Sequence, residues 1–112
     1  VADSGRYESL VKAANAGVTI GFGTDAGSPV VPHSVVAPEM KFMVKLGVVK
    51  DNYGALRSAT SVAANINGLE QELGTLEAGK VADVVFVEGN PIDNLDALEN
   101  VTATFVAGKQ LF

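Results

Sequence analysis

The sequence predicts an α/β fold, and three observations carry that prediction. Apolar residues at helical spacing from Ser4 to Ala16 are followed by a glycine and a short β-prone run, Val18 to Phe22. Residues 35 to 68 then return to helical spacing. After Leu73 the texture changes to short β runs separated by glycine turns. The expected boundary therefore falls between Glu70 and Thr75, dividing the chain into a helix-rich portion, 1–70, and a small β unit, 71–112.

The first helix places Tyr7, Leu10, Val11 and Ala14 on one face, with Gly17 at the C-cap. Val18 to Phe22 is β-branched or aromatic at most positions without clean alternation, as in a parallel strand covered on both faces. Residues Thr24 to Ser34, TDAGSPVVPHS, read as a loop. From Val35 to Leu46 the stripe is Val36, Met40, Met43 and Leu46, with Pro38 tolerated in the first turn and Gly47 closing the helix. Met40, Phe42 and Met43 read as core. Asp51 or Asn52 caps the next helix, whose apolar side is Leu56, Ala59, Val62, Ala63 and Ile66, ending at Asn67-Gly68. The β unit has turns at Ala78-Gly79-Lys80 and Gly89-Asn90-Pro91 around a strand over Asp83 to Val87. It continues with Val101 to Val106, a turn at Gly108-Lys109 and Leu111-Phe112. Lys80 and Asp83, on either side of a turn, read as a solvated ion pair.

Composition narrows the function. The chain has 112 residues, 47% of them hydrophobic, enough for one packed core. Thirteen acidic against eight basic residues give a net charge of −5, with no basic cluster, which argues against nucleic acid or anionic membrane as partner. With no cysteine, disulfides and thiolate zinc sites are excluded, so a metal must rely on carboxylates and the single histidine, His33. That composition suits the cytoplasm. No apolar run reaches the ~18 residues of a membrane span, and the N-terminus lacks the organisation of a signal peptide. Val1 in place of Met hints at sequence upstream.

Asp25 is the leading chemical candidate, because parallel sheets place ligand sites at the carboxyl ends of their strands. It suits a metal ligand or a general base. The competing reading is an Asx turn, in which the carboxylate accepts backbone N–H bonds. Gly21, Gly23 and Gly27 imitate a dinucleotide loop, but the spacing is GxGxxxG, and Pro29 and Pro32 fall where a helix N-terminus would present free N–H groups. His33 could bind substrate or tune a proton transfer, or help cap the following helix together with Ser34; both readings stay open. Glu39, one turn into that helix, is explained by the helix dipole alone.

Four stretches in order, GFGTDAGSPVVPH, ALRSATSVAANINGL, GTLEAGKVADVVFVEGNP and VTATFVAGKQLF, closely resemble the C-terminal part of metal-dependent amidohydrolases. Within that superfamily the likeness is greatest to the imidazolonepropionase-like and Xaa-Pro dipeptidase (prolidase) branch. It covers roughly Gly17 to Phe112. The resemblance implies a (β/α)₈ barrel whose last strand delivers an aspartate to a one- or two-metal centre, beside a small β-sandwich built from both chain ends.

By that resemblance Asp25 is the metal-binding aspartate, taking a proton from the attacking water and passing it to the leaving nitrogen. His33 matches a loop histidine near the substrate. Residues 1–70 would be the last helix-strand-helix portion of the barrel and 71–112 the closing strands of the sandwich. The implied cofactor is a divalent metal, zinc foremost, and the implied substrate a small molecule or dipeptide with an amide, peptide or cyclic C–N bond.

The departures matter equally. A barrel needs ~250 residues, and the family's His-x-His pair, bridging lysine or carboxylate, and later histidines have no counterparts here. One aspartate does not hold zinc tightly, so the isolated chain is expected to be metal-free and inactive. An unflanked Val18 to Phe22 would have open edges. The fragment is thus expected to form a homo-oligomer or to associate with the missing N-terminal barrel portion. The alternative is a noncatalytic, self-associating α/β module derived from the same scaffold.

Overall fold

The computed structural model describes residues 4–23 and 36–112. Helix α1, Ser4–Asn15, ends as its sequence requires. The Gly17 N–H reaches Ala14 O at 3.1 Å and the Val18 N–H reaches Ala13 O at 3.0 Å, closing a Schellman cap with Gly17 at φ +85°. Helix α2, Val36–Leu46, ends the same way at Gly47. The buried stripe of α2 is Ala37, Met40 and Met43. Val36, expected on that stripe, is exposed, and Ala37 takes its place because it lies one turn before Met40 and Lys41 rather than at the frayed first position.

The helix expected from residue 51 or 52 to 66 is two helices, α3, Asn52–Ala59, and α4, Ser61–Ile66. Asp51 caps α3, accepting the Gly54 N–H at 2.8 Å. Thr60 separates the two helices with φ −123° and ψ −93°, and its hydroxyl donates to Leu56 O at 2.8 Å. The break changes the helical phase. Ala55, Ser58 and Ala64 are buried, whereas Ile66, expected on the apolar side, is exposed.

The C-terminal unit is a three-stranded antiparallel sheet in the order β1-β2-β3. Its strands are β1, Val84–Val87, β2, Val101–Val106, and β3, Lys109–Gln110. Val84 pairs with Phe105 and Phe86 with Ala103, with an irregularity between Phe86 and Val87. Ala107 and Gly108 both have positive φ, 51° and 81°, as a type I′ turn between twisted strands demands. Asp83 is engaged there, accepting the Ala107 N–H at 2.8 Å. The expected Lys80–Asp83 pair is therefore not formed. Lys80 instead bonds Glu77 at 2.9 Å, Glu70 O at 2.6 Å and the Thr75 hydroxyl at 2.7 Å, because the 70–80 loop folds its acceptors around the ammonium.

A 3₁₀ helix, Leu95–Glu99, which the sequence reading did not anticipate, joins the two portions. Leu95, only 1% exposed, lies in one buried cluster with Met40 and Ala55, against which Phe22, Val44, Val49, Leu56, Ala59 and Leu98 pack. Lys41 of α2 and Asp96 form an ion pair at 2.5 Å.

Val18 to Phe22, expected to be a buried strand, is assigned to no strand. The cause is the absence of a neighbour: pairing is non-local, and among the described residues every strand belongs to the C-terminal sheet. Its backbone is tied at its two ends, by the Val18 N–H to α1 and by the Phe22 N–H to Ser58 O at 3.0 Å.

Candidate functional site

Asp25 and His33 lie outside the described residues. What the structure gives is the frame from which the 24–35 stretch departs and to which it returns. On the entry side, Phe22 packs on the Met40, Ala55 and Leu95 cluster while its amide is held by Ser58 O. Ser58 is 1% exposed and satisfies its own hydroxyl by donating to Ala55 O at 2.5 Å, so this polar group is buried without an unpaired atom. Gly21 lies so close to α4 that a Cβ there would stand 2.9 Å from the Ile66 Cδ1. Glycine at that position lets the segment lie flat on the helices.

On the exit side, α2 begins at Val36, and its first buried residues, Ala37 and Met40, enter the core within one turn. Both flanks of the 24–35 stretch thus rest on the same packed unit. Glu39, in the first turn of α2, is solvent-exposed, consistent with the dipole explanation.

An open cleft of about 280 Å³ runs beside the other end of the segment, lined by Val18, Thr19, Ile20, Val49, Arg57 and Val62 among others. Its lining stops at Ile20. It therefore sits against the start of the segment and not against the end that leads to Asp25.

Among the described residues no group of three or more His, Cys, Asp or Glu could hold a metal ion. Among the described residues, also, no helix is long and apolar enough to cross a membrane. Among the described residues the clearest electrostatic perturbation lies in the loop before β1: hydrogen bonds from Thr75 and then Lys80, with the Lys80 charge, hold the Glu77 carboxyl below its ordinary range.

Sequence reading missed the residues that build the frame from the C-terminal side. Leu95 and Asp96 lie between the turn at Gly89-Asn90-Pro91 and the strand from Val101, a stretch to which the sequence reading assigns no element. A local signal was present, since Asn94 precedes an acid at the second helical position, and its side chain does accept the Asp96 N–H at 3.0 Å.

The amidohydrolase family model matches residues 4–111. A Bifidobacterium longum protein assigned as a prolidase superposes with a TM-score of 0.86 and 36% identity, over 95% of this chain and 26% of that one. A Xaa-Pro dipeptidase with methionine bound in its active site gives a TM-score of 0.81 and 38% identity, over 93% of this chain and 25% of that one. The 5-methylthioadenosine/S-adenosylhomocysteine deaminase of Symbiobacterium thermophilum is 32% identical over 90 residues, 70% of this chain and 20% of its own length. The chain spans about a quarter of the solved structures and a fifth of that deaminase. With a match from residue 4 to residue 111, the chain belongs to the amidohydrolase family.

Proposed function

We propose that this chain contributes the last barrel segment and the closing sandwich strands, residues 1–70 and 71–112, to a metal-dependent hydrolase of C–N bonds. Xaa-Pro or similar dipeptides are the leading substrate class. The observation that carries the reading is the likeness to the prolidase-type structures over 93–95% of the chain at 36–38% identity. The deaminase relative supports the broader class, since deamination also breaks a C–N bond.

Asp25 follows Phe22 by three positions, and Phe22 is pinned by both packing and its amide bond to Ser58. A carboxylate there has two uses. It can serve as one ligand of a divalent metal, zinc foremost, which when bound activates water and polarises the scissile carbonyl. It can also accept the proton of the attacking water and return it to the leaving nitrogen. His33 is assigned to substrate contact. Catalytic metal sites generally use three protein ligands, so the 112-residue chain alone is proposed to hold no metal tightly and to hydrolyse nothing. A cytoplasmic location is part of the proposal.

The test begins with the coding sequence upstream of Val1, which should encode a His-x-His pair on an early barrel strand. In the longer polypeptide, Asp25→Asn should lower the turnover of Xaa-Pro dipeptides by about 10²–10⁴-fold. His33→Ala should act mainly on KM. Full turnover in the Asp25→Asn variant, or an upstream sequence without histidine ligands, overturns the reading.

A second reading is favoured by Val18 to Phe22, which has no strand partner among the described residues. It is a noncatalytic module that self-associates through that segment. Native mass spectrometry separates the two: a metal-free homo-oligomer of the 112-residue chain supports the second, and an assembly with a further polypeptide and metal supports the first.

A further inference from the structure

Helix α4 ends on Asn67-Gly68, the one place in the sequence where an asparagine precedes a glycine. Gly68 adopts φ +71°, and the cap closes as a Schellman motif. The Gly68 N–H donates to Asn65 O at 3.1 Å and the Leu69 N–H to Ala64 O at 2.8 Å. The Asn67 side chain closes the same turn, its Nδ2–H donating to Ala63 O at 2.8 Å. Both residues are exposed, and nothing lies within 4 Å of where a Gly68 Cβ would stand. The glycine that the cap requires is thus also the least hindered backbone nitrogen that can follow an asparagine.

We propose that Asn67-Gly68 is a site of covalent self-modification, deamidation through a succinimide, and that the cap of α4 is the gate that holds it back. The Gly68 nitrogen, its proton lost to solvent hydroxide, attacks the Asn67 Cγ and forms a C–N bond. Nδ2 departs as ammonia, taking a proton from water. Water then opens the five-membered ring, breaking either C–N bond of the imide, to leave aspartate or isoaspartate. One water enters in all and one ammonia leaves. In the folded chain three features oppose the first step. The attacking N–H is engaged by Asn65 O, and the target amide is held toward Ala63 O. The Asn67 ψ of 0° turns the Gly68 nitrogen away from the Asn67 Cβ, where ring closure needs the two nearly eclipsed. Fraying of the last turn removes all three together. The product does not restore the lock. A carboxylate has no N–H for Ala63 O, and it puts negative charge at the helix end whose carbonyls are already partly negative.

The experiment follows the 112-residue chain by peptide mass spectrometry at one fixed, mildly alkaline pH, in native buffer and in urea above the unfolding midpoint. In urea, conversion of amide to acid at Asn67, placed by fragmentation, should run ahead of every other asparagine, and Gly68→Ala should slow it. In native buffer the conversion should be at least about tenfold slower, in step with hydrogen exchange of the Gly68 and Leu69 amides. Gly74→Ala presses on α4, since its Cβ would stand 2.6 Å from the Ala64 Cβ. It should speed conversion in native buffer without altering the rate in urea.

Equal rates at Asn67 in buffer and in urea overturn the gate. Earlier conversion of another asparagine in urea, or none at Asn67, overturns the site. If Gly74→Ala does not fold, the unsubstituted chain in the two solvents decides.

Discussion

Two stretches of this chain have nearly the same β-forming character and opposite outcomes. Val18 to Phe22 and Val84 to Val87 are both short, apolar and rich in β-branched or aromatic residues. The second pairs with β2 along its length, with one irregularity between Phe86 and Val87, while the first pairs with nothing among the described residues. The difference lies in what each finds within 112 residues. β1 meets β2 after a connection that includes the 3₁₀ helix, whereas a parallel strand needs a neighbour supplied by a crossover unit. In the solved relatives, about three quarters of the chain lies outside the part matched here. β propensity in this molecule is thus permission to pair, and the partner decides.

Hydrogen exchange offers the largest contrast. The amides of Thr19, Ile20 and Gly21 have no backbone partner among the described residues and should exchange with little protection. Those of Gly108 and Leu111, bonded to Ala82 O at 2.9 Å and Thr104 O at 2.8 Å, should be slowed toward the global limit of about 5–15 kcal/mol. In a longer polypeptide with barrel neighbours, Thr19 to Gly21 should join the protected set. Strong protection there in the 112-residue chain would mean that a second copy has supplied the missing edge, and the contrast would collapse.

The next prediction concerns the residue that joins the two regions. Leu95→Ala should destabilise the chain by about 2–5 kcal/mol, read from denaturant midpoints, because it opens a cavity between α2, α3 and the 3₁₀ helix. Leu76, 85% exposed, is the control at the same residue type, and its replacement by Ala should change stability by less than about 0.5 kcal/mol. Equal losses would mean that burial is a poor guide to which leucines hold the halves together.

The same comparison explains what could be read from sequence. Local signals were legible where the physics is local: the Gly17 and Gly47 caps, the Asp51 N-cap, the Val101 to Val106 strand and the positive-φ turns at Gly79, Gly89 and Gly108 all appear as expected. The motif order also led to the family that the comparison finds across residues 4–111. Failures fall where the outcome depends on contacts distant in sequence. Val18 to Phe22 lacked its partner, Leu95 gained a core from residues 40 and 55, and Asp83 turned from Lys80 to the Ala107 amide. Of the candidate site, the sequence reading proposes Asp25 and His33, which lie outside the described residues, and the structure describes what flanks them, Phe22 on one side and α2 on the other. Neither source alone contains both.

A smaller effect sharpens the boundary between helices and sheet. Gly74 has φ +101°, and a Cβ on it would stand 2.6 Å from the Ala64 Cβ and 3.2 Å from Thr60 O, at the break between α3 and α4. Neither neighbour is a flexible side-chain end. Gly74→Ala should therefore cost about 1–3 kcal/mol in urea unfolding, from overpacking together with a backbone conformation that L-residues rarely adopt. An unaffected midpoint would show that α4 can shift away without loss. The cap at the other end of the pair should matter slightly less: Asp51→Ala removes the acceptor of the Gly54 N–H and should cost about 1 kcal/mol.

The smallest effect lies in the 70–80 loop that leads from the helices to β1. The Glu77 carboxyl sits below its ordinary value of 4.5, first because Thr75 hydrogen-bonds it, then because Lys80 bonds and attracts it. A carboxylate depressed in the folded state contributes stability that is complete above its unfolded pKa and lost as pH falls through the folded value. The window therefore lies at and below 4.5. The group is fully exposed, so salt and water screen the contribution, and the change should be a modest downward slope of the urea midpoint that shrinks further at high salt. Glu77→Gln keeps an acceptor for Thr75 and Lys80 but has no proton to gain, so its midpoint should fall less over the same acid range. If the two slopes coincide, the acid sensitivity belongs to other carboxylates. The Lys80 bonds to Glu70 O and Thr75 would then hold this loop without help from charge.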